Sequence, residues 1–379
     1  MSRRGALLLA AGGLAQLSLP GAAPAAPARA ADHRAEVEAL LAGRARALAA
    51  GPPALPLAEA GYRNLVLGPA GAPDRLTVTA ELAVRVAGYD EYPVVHPRRL
   101  TLLRAADGWR VEREEGAGGP PPLWDLGTVT AVRGERALVL GVAGGPDPAG
   151  PAAVADRAVL AVAELWGTGW ANRLLLEVPA TEAQFARLLE AEPAAWSAMA
   201  AVTTAAPGAP WHTPADRVVL NPQAYGGLSD FGRQVVITHE AVHVATRADT
   251  RAWTPLWLSE GVADWTGYRG SGRSPRQIAP ELARDVAAGR LPSALPADQD
   301  FTAGAAGIAQ AYEQAWLACE LIARRHGPER LAALYRAVGA AGRGSGREQL
   351  LDRVFRAELG LGLAEFTGLW LAEVRRLGE

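Results

Sequence analysis

Two histidines and a glutamate lie close together in the segment Val236–Val244, which reads Val-Ile-Thr-His-Glu-Ala-Val-His-Val. The chain has only six histidines, and two of them, His239 and His243, stand four residues apart here. The run from Phe231 to Thr246 contains no Pro and is largely apolar, which predicts a buried helix. Residues four apart share one helix face, so both imidazoles can bind one divalent metal, usually zinc. Glu240 lies about 100° around the helix from His239, where it flanks the metal as a general base without binding it.

A single histidine in an apolar helix is more often a hydrogen-bonded core residue than a metal ligand. The next predicted helix, which starts near Pro255, supplies further residues of the types that a metal site needs. Glu260 comes 17 residues after His243 and can turn back to the metal as the third ligand. Asp264, one turn later, can accept the other ring N–H of a metal-bound histidine and fix its tautomer. The alternative is that both carboxylates are solvated, which the apolar residues around them disfavour.

The segment Trp257–Trp265 reads Trp-Leu-Ser-Glu-Gly-Val-Ala-Asp-Trp. Together with the His-Glu-x-x-His helix, it resembles the active site of gluzincin metallopeptidases, the thermolysin-like group and its bacterial peptidase MA-like relatives. The resemblance covers residues 150–379 and is specific in these two helices. It implies one zinc ion per chain with the three ligands named above, Glu240 as catalytic base and Asp264 behind the first histidine.

The resemblance also implies where a substrate binds. Gluzincins hold an extended peptide along the edge strand of a sheet that precedes the metal helix, by main-chain hydrogen bonds. The matching strand here is predicted at Arg217–Leu220. The implied substrate-binding residues are therefore Val218, Val219 and Leu220. The alternative is an ordinary strand inside the sheet.

A further role implied by the resemblance is a hydrogen-bond donor for the oxyanion of the tetrahedral intermediate. Gluzincins supply a His or Tyr from the helical region after the third ligand, and the choices here are Tyr268, Tyr312, His326 and Tyr335. We select Tyr312, because the Ala-Tyr-Glu-Gln-Ala-Trp wording around it is similar to the MA-like relatives. The alternative is a packed aromatic residue whose hydroxyl is bonded locally.

The rest of the chain predicts an α+β protein with two domains. A helix over 33–50 is followed by strands at 62–67, 76–86, 99–104 and 109–114, which predicts an accessory α+β domain over 31–118. That domain weakly resembles NTF2-like and cystatin-like curved-sheet domains. A Gly/Pro linker at 116–122 leads to a zincin-like domain over 119–379, with a small sheet, the active-site helices and a helical C-terminal part. Because every proposed ligand lies beyond the linker, we expect residues 31–118 to be separable from zinc binding.

The first 30 residues predict a signal peptide. Arg3 and Arg4 precede an apolar stretch that ends in small residues and Pro, and cleavage is expected after Ala30. The apolar stretch is too short and too rich in Gly to favour a membrane span. The pair Arg3-Arg4 also weakly resembles a twin-arginine signal. We therefore expect a secreted or cell-envelope protein, the alternative being an uncleaved Ala/Pro-rich tail.

Composition restricts the class of partner. The formal net charge is −2, so nothing favours nucleic acid or an anionic membrane surface. The only cysteine, Cys319, lies in a predicted apolar helix and is expected to be an inert core residue. These observations predict a secreted zinc metallopeptidase that acts on peptide or protein substrates. Two alternatives stay open: a zincin-fold binding or envelope-assembly module with little turnover, and a zinc amidase acting on cell-wall material.

Overall fold

The strands that the structure describes form two separate β-sheets. The computed structural model describes residues 27–50, 55–68, 74–192, 197–204, 214, 216–302, 304–342 and 346–379. Most of the predicted signal peptide, residues 1–26, lies outside these ranges, so that prediction stays a prediction. The strands are β1 (Leu57–Leu67), β2 (Arg75–Val86), β3 (Val94–Ala105), β4 (Gly108–Gly116), β5 (Val129–Arg133), β6 (Ala137–Val142), β7 (Leu174–Val178), β8 (Ala201–Thr203) and β9 (Arg217–Leu220).

The N-terminal part is a four-stranded antiparallel meander in the order β1-β2-β3-β4, covered by helix α1 (Pro27–Ala49). Buried and exposed residues alternate in the first half of β2, so that Leu76, Val78 and Ala80 face the helix. This period of two is typical of a strand with one buried face. Val37 and Leu41 of α1 pack there against Leu100 and Leu102 of β3. The predicted α+β character of this part is confirmed, while the finer likeness to NTF2-like or cystatin-like domains stays a prediction.

The second sheet is mixed, in the order β5-β6-β7-β9-β8. Its first pair, β5 with β6, is an antiparallel hairpin. Strands β6, β7 and β9 then run parallel, and the crossover from β6 to β7 is helix α2 (Ala149–Trp166). The short edge strand β8 pairs antiparallel with β9.

The predicted edge position of the strand Arg217–Leu220 is wrong. It pairs with β7 on one side and with β8 on the other, so its main chain is not open to a substrate. Val218, Val219 and Leu220 are each at most 1% exposed because they fill the core on both faces of the sheet. Strand β8, which sequence reasoning missed, is the edge on this side of the sheet among the described strands, and β5 is the other edge.

Helices account for the rest of the C-terminal part. They are α3 (Glu182–Leu188), α4 (Pro222–Gly226), α5 (Asp230–Thr246), α6 (Leu256–Tyr268), α7 (Pro275–Ile278), α8 (Pro280–Ala287), α9 (Ile308–His326), α10 (Pro328–Ala340), α11 (Arg347–Leu359) and α12 (Leu363–Arg376). The helices predicted from Ala309 to the C-terminus are confirmed. Among the described residues, no helix combines the length and apolar character that a membrane crossing requires.

The two parts share one of the apolar clusters. Val86 at the end of β2 packs with Leu123, the first residue after the linker, and with Leu140 and Val219 of the second sheet. A second contact is polar: both guanidinium nitrogens of Arg98 on β3 bind the Asp125 carboxylate, at 2.6 and 3.3 Å. The Gly/Pro segment therefore joins two parts that are packed together rather than separated.

Candidate metal centre

Helix α5 carries the two histidines and the glutamate, and its start is fixed by local sequence. The Ser229 hydroxyl accepts a hydrogen bond from Gly232 N at 3.2 Å, and Asp230 places a negative charge in the first turn. One face of the helix, with Ile237, Ala241 and Val242, is buried in the core against the sheet and α2. The opposite face therefore presents His239, Glu240 and His243 toward helix α6 and strand β8.

Helices α5 and α6 run antiparallel. Phe231 contacts Tyr268, His239 contacts Asp264 and His243 contacts Glu260, so the partners are met in reverse order along the second helix. This arrangement confirms the predicted pairing. Helix α6 begins at Leu256, one residue later than its sequence signals predict, and its first free N–H donates to Asp298 Oδ1 at 3.0 Å.

Three side-chain atoms form a triangle with the spacing of metal ligands. His239 Nε2 lies 3.0 Å from His243 Nε2, and Glu260 Oε2 lies 3.2 Å from the first and 3.4 Å from the second. Tetrahedral ligands about 2.0–2.1 Å from zinc stand about 3.3 Å apart. The three atoms therefore fit one face of a tetrahedral zinc site. Among the described residues, this trio is the cluster of metal-ligand type that the structure contains.

Asp264 fixes the tautomer of His239. His239 Nδ1 lies 2.8 Å from Asp264 Oδ1, and because an ionised carboxylate only accepts, the Nδ1–H donates. The lone pair for a metal is then on Nε2, the atom that points into the triangle. Asp264 is therefore placed as the sequence predicts.

The charges around the triangle favour a cation. Burial works against protonation of His239, but the Asp264 and Glu260 carboxylates outweigh it and raise the pKa of His239 well above its usual value. Burial likewise opposes ionisation of Glu260, but the two histidines outweigh it and lower the pKa of that carboxyl. A metal entering this site therefore replaces a proton on His239, and its binding is expected to weaken in acid.

Glu240 lies beside the triangle but outside it. It is 6% exposed, and its Oε2 accepts a hydrogen bond from the Thr203 hydroxyl at 2.6 Å. Thr203 is the last residue of β8, so the edge strand reaches the predicted base directly. Sequence reasoning missed Thr203, because a Thr-Thr pair beside Ala and Val carries no ligand or catalytic spacing.

Tyr312 of α9 also lies at the centre. Its ring centroid is 6.2 Å from that of His239, and its hydroxyl lies near the Glu260 carboxylate. Burial, followed by the charges of Glu260, Asp264 and Glu240, raises the pKa of Tyr312 well above its usual value, so the phenol stays a donor. Tyr312 therefore lies against His239 at the candidate metal site, as its choice as oxyanion donor requires.

Tyr312 reaches the candidate metal site because helices α6 and α9 pack closely against each other. A Cβ on Gly261, next to the third ligand, would lie 2.4 Å from Ala315 O and 2.8 Å from Cys319 Sγ. Only Gly permits this contact, which explains the Glu-Gly pair in α6. Cys319 is fully buried in the contact, as predicted for an inert core residue, and burial raises the pKa of its thiol well above the usual value.

The other oxyanion choices lie elsewhere. Tyr335 is buried, and its hydroxyl pairs with Thr250 Oγ1 at 2.7 Å. His326 ends α9, 14 residues after Tyr312, which at about 1.5 Å per residue puts it about 21 Å along the helix. Tyr268 is half-buried against Phe231, one helical turn beyond Asp264, and stays the nearest competitor.

Comparisons with known proteins find distant likenesses only. No protein-family profile matches the sequence, and no curated protein matches it. The solved structures that resemble the chain include an M1 zinc metallopeptidase from Deinococcus radiodurans, at 15% identity and a TM-score of 0.38, covering 79% of this chain and 60% of that one. A variant of an M1 enzyme from the same organism, bound to a Tyr-Ser-Ala substrate, gives 12% identity and 0.40 over 79% and 90% of the chains.

A third likeness is a two-domain M1 enzyme bound to L-arginine, at 14% identity and a TM-score of 0.38, and the chain spans 58% of its length. Likenesses this distant do not place the chain in a family. The functional proposal therefore rests on the geometry of the site itself.

Proposed function

We propose that this protein is a zinc-dependent metallopeptidase with a gluzincin-type, zincin-like catalytic part. The observation that carries the proposal is the triangle of His239 Nε2, His243 Nε2 and Glu260 Oε2, with edges of 3.0–3.4 Å and a separate buried carboxylate, Glu240, at its side. A site built only to hold a structural zinc is closed by four protein ligands, whereas three ligands leave a position for water or substrate.

The residues have distinct roles in peptide hydrolysis. Zinc held by the triangle would lower the pKa of water toward about 7 and polarise the scissile carbonyl. Glu240 takes the proton from the attacking water and passes it to the leaving amine. Asp264 keeps His239 in its ligating tautomer, and Tyr312, whose ring lies against His239, donates its hydroxyl proton to the oxyanion.

An extended peptide is the substrate that the sheet favours. Strand β8 lies at the sheet edge and ends at Thr203, in contact with Glu240, so a peptide added to this edge passes the metal. Main-chain pairing of this kind accepts many sequences, because the side chains of the peptide do not make the hydrogen bonds. Export through residues 1–30 is part of the same proposal and rests on the sequence alone.

Metal content and turnover test the proposal together. The purified protein should hold one zinc per chain and hydrolyse an unstructured protein such as reduced casein. Glu240→Gln should keep zinc and lose turnover by about 10²–10⁴-fold, the usual contribution of a general base. The matched control is Glu320→Gln, which removes a carboxylate that accepts from Trp265 Nε1 at 2.8 Å and stands on α9 away from the triangle. It should stay active.

The outcomes separate the alternative functions. Zinc without turnover of any substrate favours a binding or envelope-assembly module. Turnover of cell-wall fragments but not of casein or peptides favours a zinc amidase. Parental turnover in Glu240→Gln contradicts the assignment of the base.

A further inference from the structure

The hydroxyl of Thr203 makes a short hydrogen bond to the carboxylate that we assign as the base. We propose that Thr203 is a positioning residue, whose hydroxyl holds Glu240 in its working orientation while its main chain receives the substrate. The proposal rests on the peptidase function proposed above. It gives β8 a second role, orienting the catalytic base, in addition to pairing with the substrate.

The side-chain contact restricts Glu240. Thr203 Oγ1 lies 2.6 Å from Glu240 Oε2 and 3.4 Å from Glu240 O, and its single proton serves the nearer, charged acceptor. The last torsion of a Glu side chain is broad and has no sharp minimum of its own. A hydrogen bond to one carboxylate oxygen therefore sets where the other oxygen points.

The main-chain N–H and C=O groups of Thr203 lie in the plane of the sheet and point away from β9, toward the sheet edge. Thr204 N donates to Arg217 O at 3.0 Å, and Asn221 N donates to Ala200 O at 2.9 Å. In an antiparallel pair, alternate residues exchange hydrogen bonds with the partner strand and the residues between them point outward. Residues 200, 202 and 204 therefore bond to β9, while the N–H and C=O groups of Ala201 and Thr203 point away from it.

Thr203 can therefore contact the substrate with its main chain and Glu240 with its side chain. A peptide that pairs with β8 binds the outward N–H or C=O of Thr203, and the same residue holds the carboxylate that acts on the attacking water. Threonine suits the position, because its β-branched side chain has few rotamers and favours a strand. The register of the peptide on β8 and the position of Glu240 are therefore coupled.

The first experiment separates positioning from structure by kinetics. Thr203→Val keeps shape and β-branching but removes the hydroxyl. It should lower kcat by about 10- to 100-fold, the effect of losing one hydrogen bond to a charged group, with KM, zinc content and Tm little changed. Thr203→Ser restores the hydroxyl and should return kcat to within a few fold of the parent.

The neighbouring residue provides a matched control. Thr204→Val makes the same chemical change one residue along, where the hydroxyl accepts from Arg217 N at 3.2 Å rather than contacting Glu240. It should leave kcat within about threefold, since no group of the reaction depends on it. A Thr203→Val enzyme with the parental kcat, or a Thr203→Ser enzyme as slow as Thr203→Val, overturns the proposal.

The second experiment needs no turnover, so it stands even if the peptidase assignment fails. A peptide hydroxamate binds zinc and hydrogen-bonds to a carboxylate beside it, and its Kd on the zinc-loaded protein can be measured by calorimetry. Thr203→Val should weaken it about 5- to 50-fold, but in a Glu240→Ala background the same change should have no effect, because the residues act through each other. Equal losses in both backgrounds, or no loss in either, contradict the coupling.

Discussion

Asp90 and Arg217 form a buried bidentate ion pair between the two described sheets of the protein. Asp90 lies in the turn after β2, and Arg217 opens β9, 127 residues later. The two guanidinium nitrogens lie 2.5 and 2.8 Å from the two carboxylate oxygens, and the Asp90 side chain is completely buried. Because Arg217 begins the strand that pairs with β8, this ion pair joins the N-terminal part to the sheet beside the candidate metal site.

Loss of this pair should destabilise the whole chain. Asp90→Asn removes the charge that Arg217 faces at 2.5–2.8 Å and leaves the Glu177 carboxylate 3.9 Å from that guanidinium, and we expect a loss of about 2–4 kcal/mol in the free energy of unfolding of the zinc-loaded protein. Urea unfolding followed by tryptophan fluorescence measures it.

The matched control for the buried pair is Glu59→Gln. It breaks a pair with Arg85 at 3.4 Å in which the two side chains are 51% and 34% exposed, so it should cost less than about 1 kcal/mol. Equal midpoints for the two variants would show that the contact between the parts contributes nothing to stability. The expectation that residues 31–118 are separable from zinc binding is disfavoured by the same contact and by the shared cluster around Val86.

The bond between His239 and Asp264 leads to a prediction about metal affinity. Asp264→Asn keeps the shape of the side chain but removes the charge that favours Nδ1–H on His239. Zinc affinity, measured by competition with a chromogenic chelator, should fall about 10- to 100-fold. Asp249→Asn, a partly exposed change on the loop after α5, should leave it unchanged. A zinc Kd within twofold of the parent in Asp264→Asn would remove Asp264 from the site.

The candidate metal centre was predictable because its residues lie close together in the sequence, at spacings that helix geometry converts into contacts. His239 and His243 share a face by helix geometry, and Glu260 follows on the next helix after a short loop, so neither step needed the long-range fold. Asp264, one turn from Glu260, was predictable for the same reason. These four residues meet as the sequence alone predicts.

The edge strand was not predictable, because strand order depends on long-range pairing. Ala201–Thr203 has three residues and no turn signal of its own, whereas Arg217–Leu220 is a clear apolar strand close to the metal helix. Sequence proximity therefore pointed to the wrong strand. Thr203 was missed with it, since only the antiparallel pairing of β8 with β9 brings its hydroxyl to Glu240.

Tyr312 has two roles that one substitution distinguishes. Tyr312→Phe removes the hydroxyl near the Glu260 carboxylate and keeps the ring that packs against Phe301, with the ring centroids 5.3 Å apart. If the hydroxyl stabilises the oxyanion, as we expect, kcat falls about 10²–10³-fold with KM and zinc affinity little changed. A loss of zinc affinity with a smaller loss of kcat would instead show that it orients the ligand.

Tyr268→Phe is the matched control for the oxyanion donor. Tyr268 lies one turn beyond Asp264, and removing its hydroxyl should leave kcat within a few fold. If Tyr268→Phe is the slow variant and Tyr312→Phe is not, the role passes to Tyr268.

Glu313, next to Tyr312 on α9, should make stability depend on pH. Its carboxylate accepts from Leu282 N at 2.6 Å and from Glu281 N at 3.2 Å, at the start of α8. Burial, with a further contribution from Glu281, outweighs these donors and raises the pKa of Glu313 to about 7. The folded state therefore holds a proton that the unfolded state has released, so stability falls as the pH rises from about 4.5 to about 7.

Glu313→Gln removes this dependence, because the amide stays neutral and its oxygen still accepts from Leu282 N. The variant should match the parent near pH 5 and exceed it above pH 7.5 by about 1–2 kcal/mol, a figure reduced for the partial exposure of the pair. Urea unfolding at pH 5.5 and 8.0 with excess zinc measures the difference in the free energy of unfolding. The pH dependence of zinc binding is the same in the parent and in Glu313→Gln, because both keep the same ligands, so it cancels from this difference. Glu281→Gln removes the other carboxylate of the repelling pair and should also raise the free energy of unfolding above pH 7.5. If the free energy of unfolding changes with pH in the same way in the parent and in both variants, Glu313 ionises in its ordinary pH range and the prediction is wrong.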